Sequence, residues 1–194
     1  MPNPSNLQIP PPTNWQDFES LCCDLWRRIW SDKCTQKNGR QGQTQAGVDI
    51  YGRPDGGKLW AGVQCKNKDN FTNKKLTKKE VIDEVKRAKS FKPNLSQYII
   101  ATTGPKNVTI QKLCRQITEK HSKDDLFSVE VMAWDDIKSL LNDDEIDRYC
   151  RVETKTRIIK DKIELSTEQI LGNQSQGHID LSREIGILSS KINS

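Results

Sequence analysis

Gly47-Val48-Asp49-Ile50-Tyr51-Gly52, then Pro54-Asp55-Gly56-Gly57, then Leu59-Trp60-Ala61-Gly62-Val63-Gln64-Cys65-Lys66: the reading of this stretch decides the architecture. A β-favouring run, a strong turn signal and a second β-favouring run predict two closely joined, antiparallel strands. Side chains alternate faces along a strand, so Gln64 and Lys66 share one face while Val63 and Cys65 take the other. By the same alternation Asp49 is expected opposite both Val48 and Ile50. An acid, an amide and an ammonium then converge on one face of adjacent strands. In that arrangement Asp49 is a hard oxygen ligand suited to magnesium. The Gln64 side-chain carbonyl is a possible second ligand, as is the backbone carbonyl of Cys65. Lys66 is placed to polarise a metal-bound water or to steady a pentavalent phosphate.

Working upstream, residues 1–12 form a proline-rich, extended lead-in. Thr13 and Gln16 fit a capping box, and Trp15, Phe18, Cys22, Leu25, Trp26 and Ile29 recur at helical spacing. They predict an amphipathic helix over 14–30. Glu19 lies near that apolar stripe. It is either a boundary residue reaching solvent or a carboxylate in need of a metal, its water or a lysine. Asn38-Gly39 and Gln41-Gly42 mark a turn among short strands between Lys33 and Lys66.

Downstream, Thr77 and Glu80 form a second capping box, followed by Val81, Ile82, Val85 and Ala88 at helical spacing. Tyr98–Thr102 reads as a buried strand. Ile110, Leu113, Cys114 and Ile117 mark a helix, Phe127–Trp134 another strand, and Asp135-Asp136 opens a helix carrying Ile137, Leu140 and Leu141. The order is helix, three strands, helix, strand, helix, strand, helix. It implies an α/β fold with a mixed central β-sheet flanked by helices on both faces. The domain is expected over 13–150. Residues 151–194 differ: they are a polar extension with a linker-like Gly172–Gly177 segment, closed by a short amphipathic stretch of Leu181, Ile185, Leu188 and Ile192.

Composition narrows the class. With 31 Lys and Arg against 26 Asp and Glu, the net charge is +5, a mild basicity compatible with nucleic acid without requiring it. The six cysteines include no Cys-x-x-Cys pair, and only two histidines are available. Zinc chemistry is therefore disfavoured, and structural thiols in a reducing cytoplasm are the expected reading. No apolar run reaches membrane-span length, and the start lacks an apolar signal core.

Gly47-Val48-Asp49-Ile50 followed by Val63-Gln64-Cys65-Lys66 resembles the PD-(D/E)xK (restriction-endonuclease-like) nuclease superfamily, in particular its Mrr-like branch. There the acid before the lysine is often glutamine. The resemblance extends over about residues 13–145. Phe18-Glu19-x-Leu21 is similar to the first-helix motif of that branch, Ile99–Gly104 to a later core strand, and Val131–Trp134 to the last one. The resemblance implies a restriction-endonuclease-like core in which Asp49 is a metal ligand and Gln64 stands at the second acid position. It makes Lys66 the catalytic lysine and Glu19 an accessory acid joining the metal site. It also implies a magnesium-dependent endonuclease acting on DNA, with manganese able to substitute, as the effector of a restriction or anti-phage system. This sequence departs from the pattern in lacking a proline before Asp49 and in the neutral Gln64.

Substrate contacts are expected from the polar loop of Lys37, Arg40, Gln41, Gln43, Thr44 and Gln45, and from Lys68. Lys74, Lys75, Lys78 and Lys79 continue this basic segment, and Lys78 and Lys79 serve equally well to solvate a helix start. Trp30 and Trp60 suit base stacking, but packing in or beside the core is the stronger expectation. A homodimer, with two sites for two strands, and a fused or associated sensor module are the partners the family resemblance implies. The tail fits either a larger protein or self-association. Two alternatives stand beside the deoxyribonuclease: a catalytically degenerate binding or interaction domain on the same fold, and an RNase.

Overall fold

The computed structural model describes residues 9–40, 42–43, 45–68 and 75–150, all within the unit that ends at Cys150. The expected lead-in at 1–8, Gln41, Thr44, Lys74 and the whole extension at 151–194 lie outside the described residues.

The elements follow the order α1 (Trp15–Ile29), β1 (Gln36–Lys37), β2 (Ile50–Gly52), a 3-10 turn (Pro54–Gly56) and β3 (Trp60–Lys66). Then come α2 (Lys78–Ala88), β4 (Leu95–Thr102), α3 (Val108–His121), β5 (Ser128–Met132), α4 (Trp134–Leu140) and α5 (Asp143–Tyr149). The strands form one sheet in the order β1-β2-β3-β4-β5. β1, β2 and β3 are antiparallel neighbours, whereas β3, β4 and β5 run parallel. This is the mixed α/β sheet expected from a hairpin followed by alternating helices and strands.

Each face of the sheet buries its own core. Ile50, Ala61, Val63, Ile99 and Ala101 pack with Phe18, Leu21, Cys22, Leu25 and Trp26 of α1 and with Ile137 and Ile146 of α4 and α5. Tyr98, Ile100 and Val129 pack instead with Val81, Val85 and Ala88 of α2 and with Ile110 and Cys114 of α3. Residues 63 and 64 therefore do face opposite layers, as alternation requires. All six cysteines are free, and only Cys34 is exposed.

Several local expectations are corrected. The cap of α1 is Asn14, whose Oδ1 accepts from the Asp17 N–H at 2.7 Å, so Thr13 and Gln16 do not form the capping box. Trp15 and Ile29, expected on the buried stripe, are 43% and 42% exposed, because the apolar face turns past them at the two helix ends. In α2 the capping box of Thr77 and Glu80 is present, but Ile82 is 50% exposed while Glu84 is only 3% exposed. Glu84 falls three residues after Val81 and four before Ala88, squarely on the core-facing stripe.

β2 begins at Ile50 rather than Gly47. Ala46 and Gly47 both have positive φ, so the chain turns before the strand and the alternation fails there. Val48 enters the α2–α3 core and Ile50 the α1 core. The helix expected from Asp135 starts one residue earlier, with Trp134, and α5 has no counterpart in the sequence reading.

Candidate active site

Asp49 sits in the segment entering β2 and is tied there from both sides. Its backbone N–H donates to the Val63 carbonyl at 2.8 Å and its carbonyl accepts from the Asn38 N–H at 2.7 Å. The Asn38 amide then donates to the carbonyls of Gln45 and Val48 at 3.0 and 2.8 Å, and the Gln45 amide returns a bond to the Asn38 carbonyl at 2.8 Å. These contacts close the polar loop into a ring that fixes Asp49. Behind it, the Tyr98 hydroxyl donates to the Gly47 carbonyl at 2.6 Å. Gly47 itself is pressed on α2: a Cβ there would lie 2.9 Å from Arg87 Cβ and 3.1 Å from the Glu84 carbonyl oxygen, at a φ of +69°. Only glycine combines that backbone conformation with that approach.

The expected convergence on the β2–β3 hairpin is present. Asp49 is 8% exposed, and its Oδ2 accepts from the Gln64 amide at 2.5 Å and the Cys65 backbone N–H at 2.8 Å. Asp49, Gln64, Cys65, Lys66 and Glu19 line one open cleft of about 580 Å³, together with Lys37, Arg40 and Trp15. Glu19 reaches it from α1, where it is ion-paired with Lys37 at 3.3 Å. A second cleft of about 430 Å³ shares Asp49, Gln64 and Gln45 with the first and is lined also by Glu84, Arg87 and Ser90.

The distribution of charge is uneven in an informative way. Glu19 has Lys37; Glu84 has both Lys66 and Arg87. Asp49 alone of these three acids has no ion-pair partner among the described residues. Burial is the main cause pushing its carboxyl from 3.8 up to about 6, with the charges of Glu19 and Glu84 adding to it, against the Cys65 N–H and Lys66. A buried carboxylate flanked by other carboxylates and lacking a cation is a place where a cation gains free energy.

The donor chemistry fits a hard cation such as magnesium. Asp49 Oδ1 and the Gln64 side-chain oxygen accept no hydrogen bond among the described residues, and both oxygens belong to residues lining the cleft. Magnesium is commonly held by one or two protein oxygens and completes its shell with water and phosphate. Among the described residues no group of three or more His, Cys, Asp or Glu side chains is clustered for metal binding. Glu19 and Glu84 raise the Asp49 carboxyl through their charge. The Cys65 carbonyl, the other proposed ligand, lies 3.4 Å from the Gln64 amide nitrogen.

The proposed substrate contacts divide. Arg40 lines the cleft with its guanidinium unpaired among the described residues. Lys37 lines it too but is engaged with Glu19 and with the Ser20 hydroxyl. Gln43 caps the loop by accepting from the Arg40 N–H at 3.0 Å, and Gln45 spends its amide on Asn38. Lys68 is turned inward onto Glu80, an interaction strong enough that, against burial, Lys68 and Thr77 bring the Glu80 carboxyl down to about 2. It is a structural lysine, not a free phosphate contact. Trp30 is buried in the α1 core and Trp60 packs on Tyr51 and Arg53, so neither offers a face to a base.

Two residues escaped the sequence reading. Trp15 was assigned to the core but is the exposed tryptophan at the rim of the cleft. Glu84 shows itself in the sequence only as an acid at a core position of an otherwise apolar helix stripe. No protein-family model, curated protein or solved structure matches this chain.

Proposed function

We propose that this chain is a magnesium-dependent endodeoxyribonuclease on a restriction-endonuclease-like core, with Asp49, Gln64 and Lys66 at its centre. The observation that carries this reading is the Asp49 carboxylate: buried, fixed on one oxygen by Gln64 and Cys65, without an ion-pair partner among the described residues, and lining an open cleft beside a lysine. Structural carboxylates are normally neutralised where they are buried. One left charged and open toward a cleft suits a site that gains its cation with its substrate.

Asp49 and Gln64 are the residues to hold the metal, and Glu19 adds negative potential from α1. Magnesium, when bound, supplies stabilisation of phosphoryl oxygens and an acidified water. The chain's own residues do the rest. Lys66 meets the developing negative charge on the scissile phosphate. Arg40 and, on leaving Glu19, Lys37 receive flanking phosphates, a contact that positions a strand without reading its sequence. The two clefts meet at Asp49, Gln64 and Gln45, and an open site of that extent suits cutting within a chain. Work as the effector of a restriction or anti-phage system is the biological role that the resemblance to the Mrr-like branch suggests.

The test is cleavage of supercoiled plasmid and linear duplex DNA with magnesium or manganese, using the parent, Asp49→Ala and Lys66→Ala. Metal-dependent nicking or cutting lost in both variants is the expected result. An Lys66→Ala protein that cuts as fast as the parent refutes the mechanism. Absence of both cutting and metal binding in the parent refutes the enzyme itself and leaves the binding-domain reading.

A further inference from the structure

Glu84 is a buried carboxylate that no part of the proposed motif uses, and its partners are arranged unequally. The Lys66 ammonium and one terminal nitrogen of Arg87 both contact the same oxygen, Oε1. The Arg87 Nε donates to the other oxygen, Oε2, at 3.0 Å. Arg87 alone therefore engages both carboxylate oxygens in a fork, while Lys66 holds a shared one. The side chains differ in exposure as well: Glu84 is 3% exposed, Lys66 25% and Arg87 58%. Gly47, packed against Arg87 and Glu84, keeps this group against the segment that carries Asp49.

We propose that Glu84 and Arg87 form a parking site for Lys66: the lysine rests on Glu84 in the free protein and is released to the phosphate, with Arg87 neutralising the carboxylate left behind. This rests on the reading of Lys66 as the residue that meets the scissile phosphate. A cation leaving a buried acid ordinarily strands a charge, and that penalty opposes the movement. Here the fork geometry of arginine keeps both oxygens hydrogen-bonded after Lys66 departs. Glu84 and Arg87 are thus positioning residues acting through Lys66, and they make it mobile without leaving it unpaired at rest. Arg87 is specifically the enabling partner, since without it Lys66 is the one counter-charge of Glu84 among the described residues.

That division of labour fixes the sign of each variant. Arg87→Ala immobilises Lys66 on Glu84, so kcat falls by at least about tenfold with KM little changed. Glu84→Gln removes the charge that retains Lys66, so adding it to Arg87→Ala restores kcat to within about threefold of Glu84→Gln alone. Arg87→Lys, which keeps the charge but not the fork, falls between. The 15Nζ order parameter of Lys66, measured by NMR without DNA or metal, rises in Arg87→Ala and falls in Glu84→Gln and in the double variant. A purely structural Arg87 would predict the opposite, a looser Lys66 in Arg87→Ala and additive losses in the double variant, and either finding overturns the proposal. Should the parent cut no DNA, the functional reading fails and release to a phosphate fails with it, while the order parameters still decide whether Arg87 loosens Lys66 on Glu84.

Discussion

If Asp49 is a buried acid held without its cation, then neutralising it should stabilise the metal-free protein. Asp49→Asn preserves the shape, and an Asn side-chain oxygen still accepts from the Cys65 N–H that now bonds Oδ2. Gln64, which presents its amide N–H to the same Oδ2, can go on donating to that Asn oxygen without turning its amide over. The hydrogen bonds survive while the charge goes. The carboxyl rises from 3.8 to about 6, and about 1.4 kcal/mol per unit puts a ceiling of about 3 kcal/mol on the cost of keeping it ionised. The pH dependence follows from linkage. The folded chain binds this proton more tightly than the unfolded chain, so the penalty is absent below about pH 4, grows up to about pH 6, and is fully present above it. Other acids titrate in the same range, so the informative quantity is the difference between variant and parent. Urea and thermal unfolding in chelator should show the two coinciding near pH 4 and Asp49→Asn ahead by up to about 3 kcal/mol at pH 8, a Tm gain of about 5–10 °C for a domain this size. Millimolar magnesium should narrow the gap by stabilising the parent alone. An Asp49→Asn protein no more stable than the parent at pH 8 refutes the uncompensated-charge argument, and with it the observation that carries the functional reading.

Other substitutions examine the frame around the site. Arg28→Ala removes the bidentate partner of Glu145, which bonds the guanidinium at 3.0 and 2.8 Å; Arg28 is 42% exposed and solvent screens the pair, so the docking of α5 on α1 should weaken by about 1 kcal/mol in urea unfolding. Gly52→Ala places a Cβ 2.3 Å from the Thr35 hydroxyl oxygen and 2.8 Å from the Trp30 ring, and a loss of stability of about 1–3 kcal/mol is expected in urea unfolding, well beyond that of a surface change. The Glu80 carboxyl, held near 2, contributes stability above its ordinary 4.5 that is lost as pH falls toward 2; the acid limb of a denaturation profile should therefore flatten in Glu80→Gln. Trp15→Ala should leave Tm unchanged, because the ring is exposed, yet weaken retention of DNA in a metal-free binding assay; equal affinity would remove Trp15 from the substrate path.

The parts of the site carried by alternation were legible in the sequence, and those carried by tertiary pairing were not. Gln64 and Lys66 lie on one face of β3 because a strand has period two, and nothing distant is needed to put them there. Asp49 was identified for a partly wrong reason. Alternation places Val48 and Ile50 together, whereas the positive-φ turn at Ala46 and Gly47 sends them into different cores. Asp49 reaches Gln64 through backbone bonds to Val63 and Asn38 instead. α5 was invisible because it buries Glu145 and Ile146 alone, and Glu145 is held by Arg28, 117 residues away. Glu84 shows the same effect at the site itself. By type it belongs on a helix surface; by position it belongs in the core. Only the fold supplies the two cations that reconcile these, and one of them is the lysine that the strand had already pointed into the cleft. A charged residue on a core stripe is thus a local contradiction that the sequence states openly, and its resolution lies beside the site.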